Sequence, residues 1–170
     1  MSDKIKIEKQ FLEVYEKYSD DIFRYCYYRV FDREKAKDLV QESYCRTWKY
    51  IAEGNNVENI RAFVYRTARN MIIDESRKKK HMSLNDIMEK GFSPKIDERE
   101  ATNNHFDYKE AIEVINSLDK KYKDVIIMKY VQGLPTKEIA LITGETEDNI
   151  YVRVHRGLEK VKEILKRYEK

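Results

Sequence analysis

Residues 138–163, EIALITGETEDNIYVRVHRGLEKVKE, decide the reading of this chain, because they encode a short helix, a Gly-containing turn and a longer second helix with one apolar stripe. Ile139, Ala140 and Ile142 give the first helix its apolar side, Gly144 sits where the chain must turn, and Thr146 stands at an N-cap position with a hydroxyl for an orphan backbone N–H. In the second helix Ile150, Val154, Leu158, Val161 and Leu165 recur at three- and four-residue spacing and predict one buried face. At roughly 100° per residue, Asp148, Val152, His155 and Arg156 then point away from that stripe, with Tyr151 on its flank. The pattern is a helix-turn-helix, and these are the side chains that a major groove would meet. Any helical hairpin gives such a stripe, so the rest of the chain must decide between DNA binding and plain packing.

The 170 residues suffice for one domain or two small ones. Charge is dense but nearly balanced, 34 Lys and Arg against 31 Asp and Glu for a net +3, which argues against a surface that binds polyanions everywhere. Basic character must therefore be local to matter. No apolar run approaches the roughly 18 residues of a membrane span, and the N-terminus MSDKIKIEKQ lacks an apolar signal core. A cytoplasmic protein without membrane insertion is expected. Cys26 and Cys45 have neither CxxC nor His-ligand spacing, so they read as small buried or half-buried thiols rather than a metal site or a disulfide framework.

Of five Gly and two Pro, Gly54, Gly91, Gly133, Gly144, Pro94 and Pro135 fall between helix-periodic segments, and only Gly157 lies inside one. No alternating β-branched runs compete, and the predicted fold is all-α. Residues 1–80 hold 18 basic and 14 acidic side chains, 81–108 hold 3 and 6, and 109–170 hold 13 and 11. Two mildly basic blocks thus flank an acidic joint with Gly91, Pro94 and no sustained stripe, expected as a flexible linker over 81–107. The expected organisation is two small helical domains, 1–80 and 108–170, joined by that linker.

In the first block Ile7, Phe11, Tyr15 and Tyr18 supply one stripe, and Ile22, Phe23 and Cys26 extend it into a second, Tyr-rich helix. A third helix is expected over Lys35 to Ala52 through Leu39, Val40, Ser43, Tyr44, Thr47, Trp48 and Ile51, and a fourth over about Ile60 to Lys79. Between them lies the polar, Asn-rich stretch Glu53 to Asn59. The fourth helix presents Phe63, Val64, Thr67, Ala68, Met71 and Ile72 to a core and carries Arg61, Arg66, Arg69, Arg77 and Lys78 to Lys80. A basic helix beside an Asn-rich loop, an acidic joint and a C-terminal helix-turn-helix together suit a protein that grips two separated stretches of one DNA.

The residues themselves resemble a family. The string KDLVQESYCRTW over 37–48, followed by NIRAFVYRTARNMIIDESRK over 59–78, is similar to regions 2.1 to 2.4 of the extracytoplasmic-function (ECF) group of bacterial sigma-70 factors. The stretch from Leu118 through Arg156 is similar to region 4 of the same group. The resemblance implies a non-enzymatic transcription initiation factor, without a cofactor, that binds core RNA polymerase and promoter DNA, recognises two promoter elements and promotes DNA melting. It further implies that Asp38, Leu39, Gln41 and Glu42 match the motif that docks on the clamp coiled coil of polymerase; Asp38, Gln41, Glu42 and Cys45 lie on adjacent turns and make a compact polar patch. Glu42 also stands four residues before Arg46, the spacing of an intrahelical pair.

By the same resemblance the loop from Gly54 to Ile60 captures an extruded base of the downstream element through Asn55, Asn56 and Asn59, which offer both donors and acceptors. Each Asn has a turn role as its alternative, and Asn59 an N-cap role. Arg61, Arg66, Arg69 and Arg77 would hold the strand backbone, and Asp74 matches a family aspartate read as structural. The upstream element would meet Tyr151, Val152, His155 and Arg156, with Arg153, Thr136 and Lys137 placed for phosphates. The chain departs from the family where Tyr151 replaces the usual Lys or Arg and where Glu147 and Asp148 replace small neutral residues; with Glu145 they complement the helix dipole but repel phosphate. An anti-sigma protein is a further partner that the resemblance allows.

Two other readings remain open at this point, a conventional helix-turn-helix transcriptional regulator and a degenerate sigma-like polymerase-binding protein. An enzyme fits worst, since His81, His105 and His155 are scattered and no Gly-rich phosphate loop is present.

Overall fold

The computed structural model describes residues 2–82, 111 and 113–168. Among the described residues every regular element is helical. They fall into two units, and each is considered by itself.

The first unit is three helices packed on one another: α1 over Ser2–Val30, α2 over Arg33–Ala52 and α3 over Ile60–Met82. The two stripes expected as separate helices in the first 30 residues form the single helix α1. No Gly or Pro interrupts that stretch, and helix propagates cheaply once nucleated. The α1 helix stops at Phe31, whose φ of 51° is left-handed, and Asp32 caps α2 by accepting from Lys35 N–H at 3.0 Å. Ile22, Tyr25 and Cys26 of α1, Ala36, Leu39 and Ile51 of α2, and Val64, Tyr65, Ala68 and Ile72 of α3 form the core. Each large apolar side chain buried there contributes about 1.5–3 kcal/mol.

Aromatic rings join the three helices, with Tyr25, Tyr44 and Tyr65 inside the core and Phe11 and Tyr15 at its edge. Phe11 lies edge-on to Tyr44 at 5.9 Å, Tyr15 meets the same ring at 4.9 Å, and Tyr25 packs edge-on to Tyr65 at 5.4 Å. Ser43 and Thr47 are fully buried, yet neither hydroxyl is orphaned: they donate to the carbonyls of Val40 and Ser43 at 2.8 and 2.7 Å. Cys26 is fully buried, and burial pushes its thiol up to about 12, with the Arg29 charge opposing that rise. Cys45, expected to be at least half-buried, is exposed because it shares the outward side of α2.

In the second unit helical residues at 113–117 precede α4 over Lys120–Ile126, which runs on into a π-helical turn over Ile127–Val131. The helix-turn-helix follows as α5 over Thr136–Thr143 and α6 over Glu147–Tyr168. Gly144 adopts φ 73°, the left-handed conformation that an L side chain resists, and its N–H closes α5 on the Ala140 carbonyl at 2.9 Å. Thr146 caps α6 by accepting from Asn149 N–H at 3.2 Å. The α4 and α6 helices pack together. At their crossing, a Cβ added to Gly157 would lie 3.0 Å from both Ile126 Cγ1 and Cδ1, so the one Gly inside a helical stripe marks a close approach.

The expected buried stripe of α6 holds only in its first part. Ile150 and Val154 are buried, Leu158 and Val161 are half-buried, and Leu165 is 40% exposed. These last three, with Ile126 and Val114, line an open apolar cavity of about 300 Å³. The expected linker lies outside the described residues, apart from His81 and Met82, which continue α3.

Candidate nucleic-acid and polymerase interfaces

The α2 helix separates its two sides sharply. Asp38, Gln41, Glu42 and Cys45 are exposed, while Leu39, Ser43 and Thr47 face the core. At roughly 100° per residue the four exposed positions span about 100° of helix surface. Leu39, expected both on the apolar stripe and in the docking set, is 7% exposed and anchors the helix that presents the patch. Glu42 accepts from Arg46 Nε at 2.6 Å, so the anticipated i,i+4 pair forms, on a surface where it contributes only about 0.2–0.5 kcal/mol.

The loop after α2 is clamped at both ends by its own asparagines. Asn55 Nδ2 donates to the Tyr50 carbonyl at 3.0 Å, satisfying a C-terminal carbonyl of α2, and Asn59 Oδ1 accepts from Ala62 N–H at 2.9 Å as the N-cap of α3. Val57 is buried between them in sequence and pins the middle. Asn56 is exposed on the same loop. Of the three asparagines expected to meet a base, two are thus engaged in positioning the loop. Sequence reasoning passed over Tyr50, 40% exposed, whose ring stacks on Phe63 with centroids 4.9 Å apart and planes 24° from parallel. Its signal was an aromatic in the last turn of α2, shortly before the loop, on the side of Leu39 and Ser43 rather than of the polar patch.

Arg66 and Arg77 are exposed and Arg69 is half-buried, and the three fall within roughly 80° of one another around α3. Arg61 does not join them: its guanidinium lies over the Tyr18 ring, 4.6 Å from the centroid. Asp74, expected to be structural, is exposed. Lys35 reaches Glu75 at 2.5 Å, tying α2 to α3. Burial lowers the Lys35 ammonium's affinity for its proton, but the Glu75 carboxylate opposes this and the net direction is upward.

On α6, Tyr151 is 73% and Val152 47% exposed, and His155 and Arg156 are exposed one turn further on. Arg153 is different, since its guanidinium pairs with the Glu145 carboxylate of the turn, both side chains being about one quarter exposed. The contact fixes the turn to the second helix and draws Arg153 back from the phosphate role expected of it. His155 Nε2 approaches Glu159 at 3.5 Å. At the start of α5 Lys137 is exposed, whereas Thr136 Oγ1 accepts from Lys129 Nζ at 3.3 Å.

Two modules of this kind, each with its own outward polar helix face, have counterparts among known proteins. A family model described as Sigma-70 region 2 matches residues 14–82, and one described as Sigma-70, region 4 matches residues 108–161. The chain belongs to the ECF group of the sigma-70 family. It is a transcription initiation factor and not an enzyme, and the paired match sets aside a conventional helix-turn-helix regulator. The sigma-70 chain is 28% identical to RNA polymerase sigma factor SigV of Bacillus subtilis over 142 residues, covering 84% of this chain and 82% of that one. It is 27% identical to ECF RNA polymerase sigma factor SigL of Mycobacterium tuberculosis over 143 residues, covering 84% and 81%. In fold it is similar to the sigma factor RpoE solved with the anti-sigma factor NepR from Bartonella quintana, with a TM-score of 0.73 at 19% identity over 93% of this chain and 98% of that one. CnrH, solved with the cytosolic domain of CnrY, gives 0.68 at 14% identity over 94% and 89%.

Proposed function

We propose that residues 1–80 of this sigma factor bind core RNA polymerase and recognise and help melt the downstream promoter element, while residues 108–170 recognise the upstream element and 81–107 link the two. The observation that carries the reading is the two-sidedness of α2, which buries Leu39, Ser43 and Thr47 and leaves Asp38, Gln41 and Glu42 as one outward polar and acidic patch. Such a patch suits a basic partner helix, and acidic groups contribute nothing to holding DNA phosphate, so the partner there is protein. Replacing Asp38 and Glu42 together by Arg should abolish binding to core polymerase with the helical circular dichroism intact. Binding of that double variant at wild-type affinity would sink the assignment.

For the downstream element, Asn56 is the asparagine that reads the extruded base edge, Asn55 and Asn59 hold the loop in shape, and the Tyr50 and Phe63 stack supplies an aromatic surface beside it. Arg66, Arg69 and Arg77 line one side of α3 for the strand backbone. For the upstream element, Tyr151, Val152, His155 and Arg156 face the groove, and Lys137 meets phosphate. Two solved neighbours were captured with an anti-sigma factor or with another protein's cytosolic domain, which supports an anti-sigma protein as a partner of this chain. As a partner of core polymerase, the protein acts in the cytoplasm in this reading. No described helix is long and apolar enough to cross a membrane.

A further inference from the structure

Behind its acidic first turn, the outward face of α6 presents two apolar side chains. Tyr151 and Val152 are more exposed than a valine or tyrosine gains from being, at 73% and 47%, and they adjoin His155 and Arg156 one turn on. The charge that could have dominated this position, Arg153, is turned back onto Glu145. Glu147 and Asp148 in the first turn are exposed and acidic, which disfavours a close phosphate at this end of the helix. Next along the face, after those two carboxylates, come an isopropyl group and a phenol ring, with cationic and imidazole groups behind them.

An isopropyl group can neither donate nor accept a hydrogen bond, so it cannot read the donor and acceptor pattern of a base edge. One apolar group is offered by base pairs in the major groove, the C5 methyl of thymine. We propose that Tyr151 and Val152 read thymine methyls, so that the upstream element carries thymine at the one or two positions beneath the start of α6, with Arg156 supplying the adjacent polar contact. The inference rests on the reading of α6 as the helix that enters the groove, and it names the base chemistry which that helix selects. It also gives a use to one of the positions where this chain departs from the family pattern, Tyr151, which stands where a cation is usual.

The test removes the methyl and nothing else. Holoenzyme assembled from this chain and core RNA polymerase is bound to a promoter duplex taken from its own mapped start sites, and each thymine of the upstream element is replaced in turn by deoxyuridine. At one or two positions the apparent Kd should rise about fourfold, the equivalent of one buried methyl group. That sensitivity should vanish with Val152→Ala at one position, or with Tyr151→Ala at the other, because the contact is then already lost. Both side chains are exposed, so the variants keep the fold, and circular dichroism checks it. Equal affinity for thymine and uracil at every position overturns the inference, as does uracil sensitivity that survives in both variants. If the variants lose core polymerase affinity while keeping wild-type uracil discrimination, the patch is a protein contact and the inference also falls. Failure of the underlying reading looks different: deleting the whole upstream element would then leave holoenzyme binding unchanged.

Discussion

Cys26 and Cys45 differ in everything except their chemistry, and the difference is a matter of which side of a helix each occupies. Cys26 is fully buried among α1, α2 and α3 core residues with its thiol pushed up to about 12, whereas Cys45 is exposed on α2 beside Asp38, Gln41 and Glu42. A thiol must lose its proton to react, so at neutral pH Cys26 is shielded both by burial and by the scarcity of its thiolate. A disulfide reagent should therefore modify one thiol in the native protein, and the second only in denaturant. Mass mapping should place the fast label on Cys45; a fast label on Cys26 would contradict the packing of α1. Polymerase bound to α2 should in turn protect Cys45, a readout that tests the proposed docking side without altering it. At this scale the sequence was an incomplete guide: periodicity put Cys26 on an apolar stripe and Cys45 with Asp38, Gln41 and Glu42, but the expectation that both thiols are at least half-buried needed the edge of the core, which spacing does not give.

Among the elements, the crossing of α4 and α6 and the loop between α2 and α3 carry the sharpest consequences. Gly157 lets α6 pass close to Ile126, where a Cβ would stand 3.0 Å from two side-chain carbons. Gly157→Ala should be close to neutral, because a gain in helix propensity of about 1 kcal/mol opposes the crowding. Gly157→Leu cannot be absorbed by a small shift of Ile126 and should cost about 1–3 kcal/mol through overpacking. Thermal denaturation followed by circular dichroism compares the pair, and a Gly157→Leu protein as stable as wild type would show that the two helices are not in close contact. In the loop, Asn59→Ala removes the N-cap of α3 and should destabilise by about 0.5–2 kcal/mol. Asn56→Ala should leave stability unchanged and weaken preference for the correct single-stranded downstream element. If Asn56→Ala kept that preference, base reading would belong to α3 or to the Tyr50 stack instead.

For the whole molecule the consequence is promoter opening. A factor that captures an extruded base gains from DNA already unstacked, because duplex must first supply a few kcal/mol for unstacking. Holoenzyme should therefore bind a promoter with a pre-opened downstream element more tightly than the same promoter as duplex, and permanganate should mark unpaired thymines in the duplex complex. Equal affinity for both forms with no permanganate reactivity would mean a duplex binder without a melting role. Raising the salt concentration should weaken both complexes, since the contacts proposed for Arg66, Arg69 and Arg77 are to phosphate, whatever the base.

Much of this was legible in the residues alone. The helix-turn-helix, its Gly144 turn and Thr146 cap, and the spans of α2 and α3 all follow from short-range rules: apolar spacing, a residue that tolerates positive φ, and a side chain that can close a helix end. Such rules act over a few residues, so they are written in the order of the chain. Tertiary structure decided what depends on residues far apart in it. It exposed Cys45, left Leu165 40% exposed at the edge of a cavity, and set Gly157 against Ile126. It turned Arg61 onto Tyr18 and Arg153 onto Glu145, so that two arginines expected on DNA are held by the protein itself. Periodicity gives the direction of a side chain around its own helix; only packing says what occupies the space in that direction.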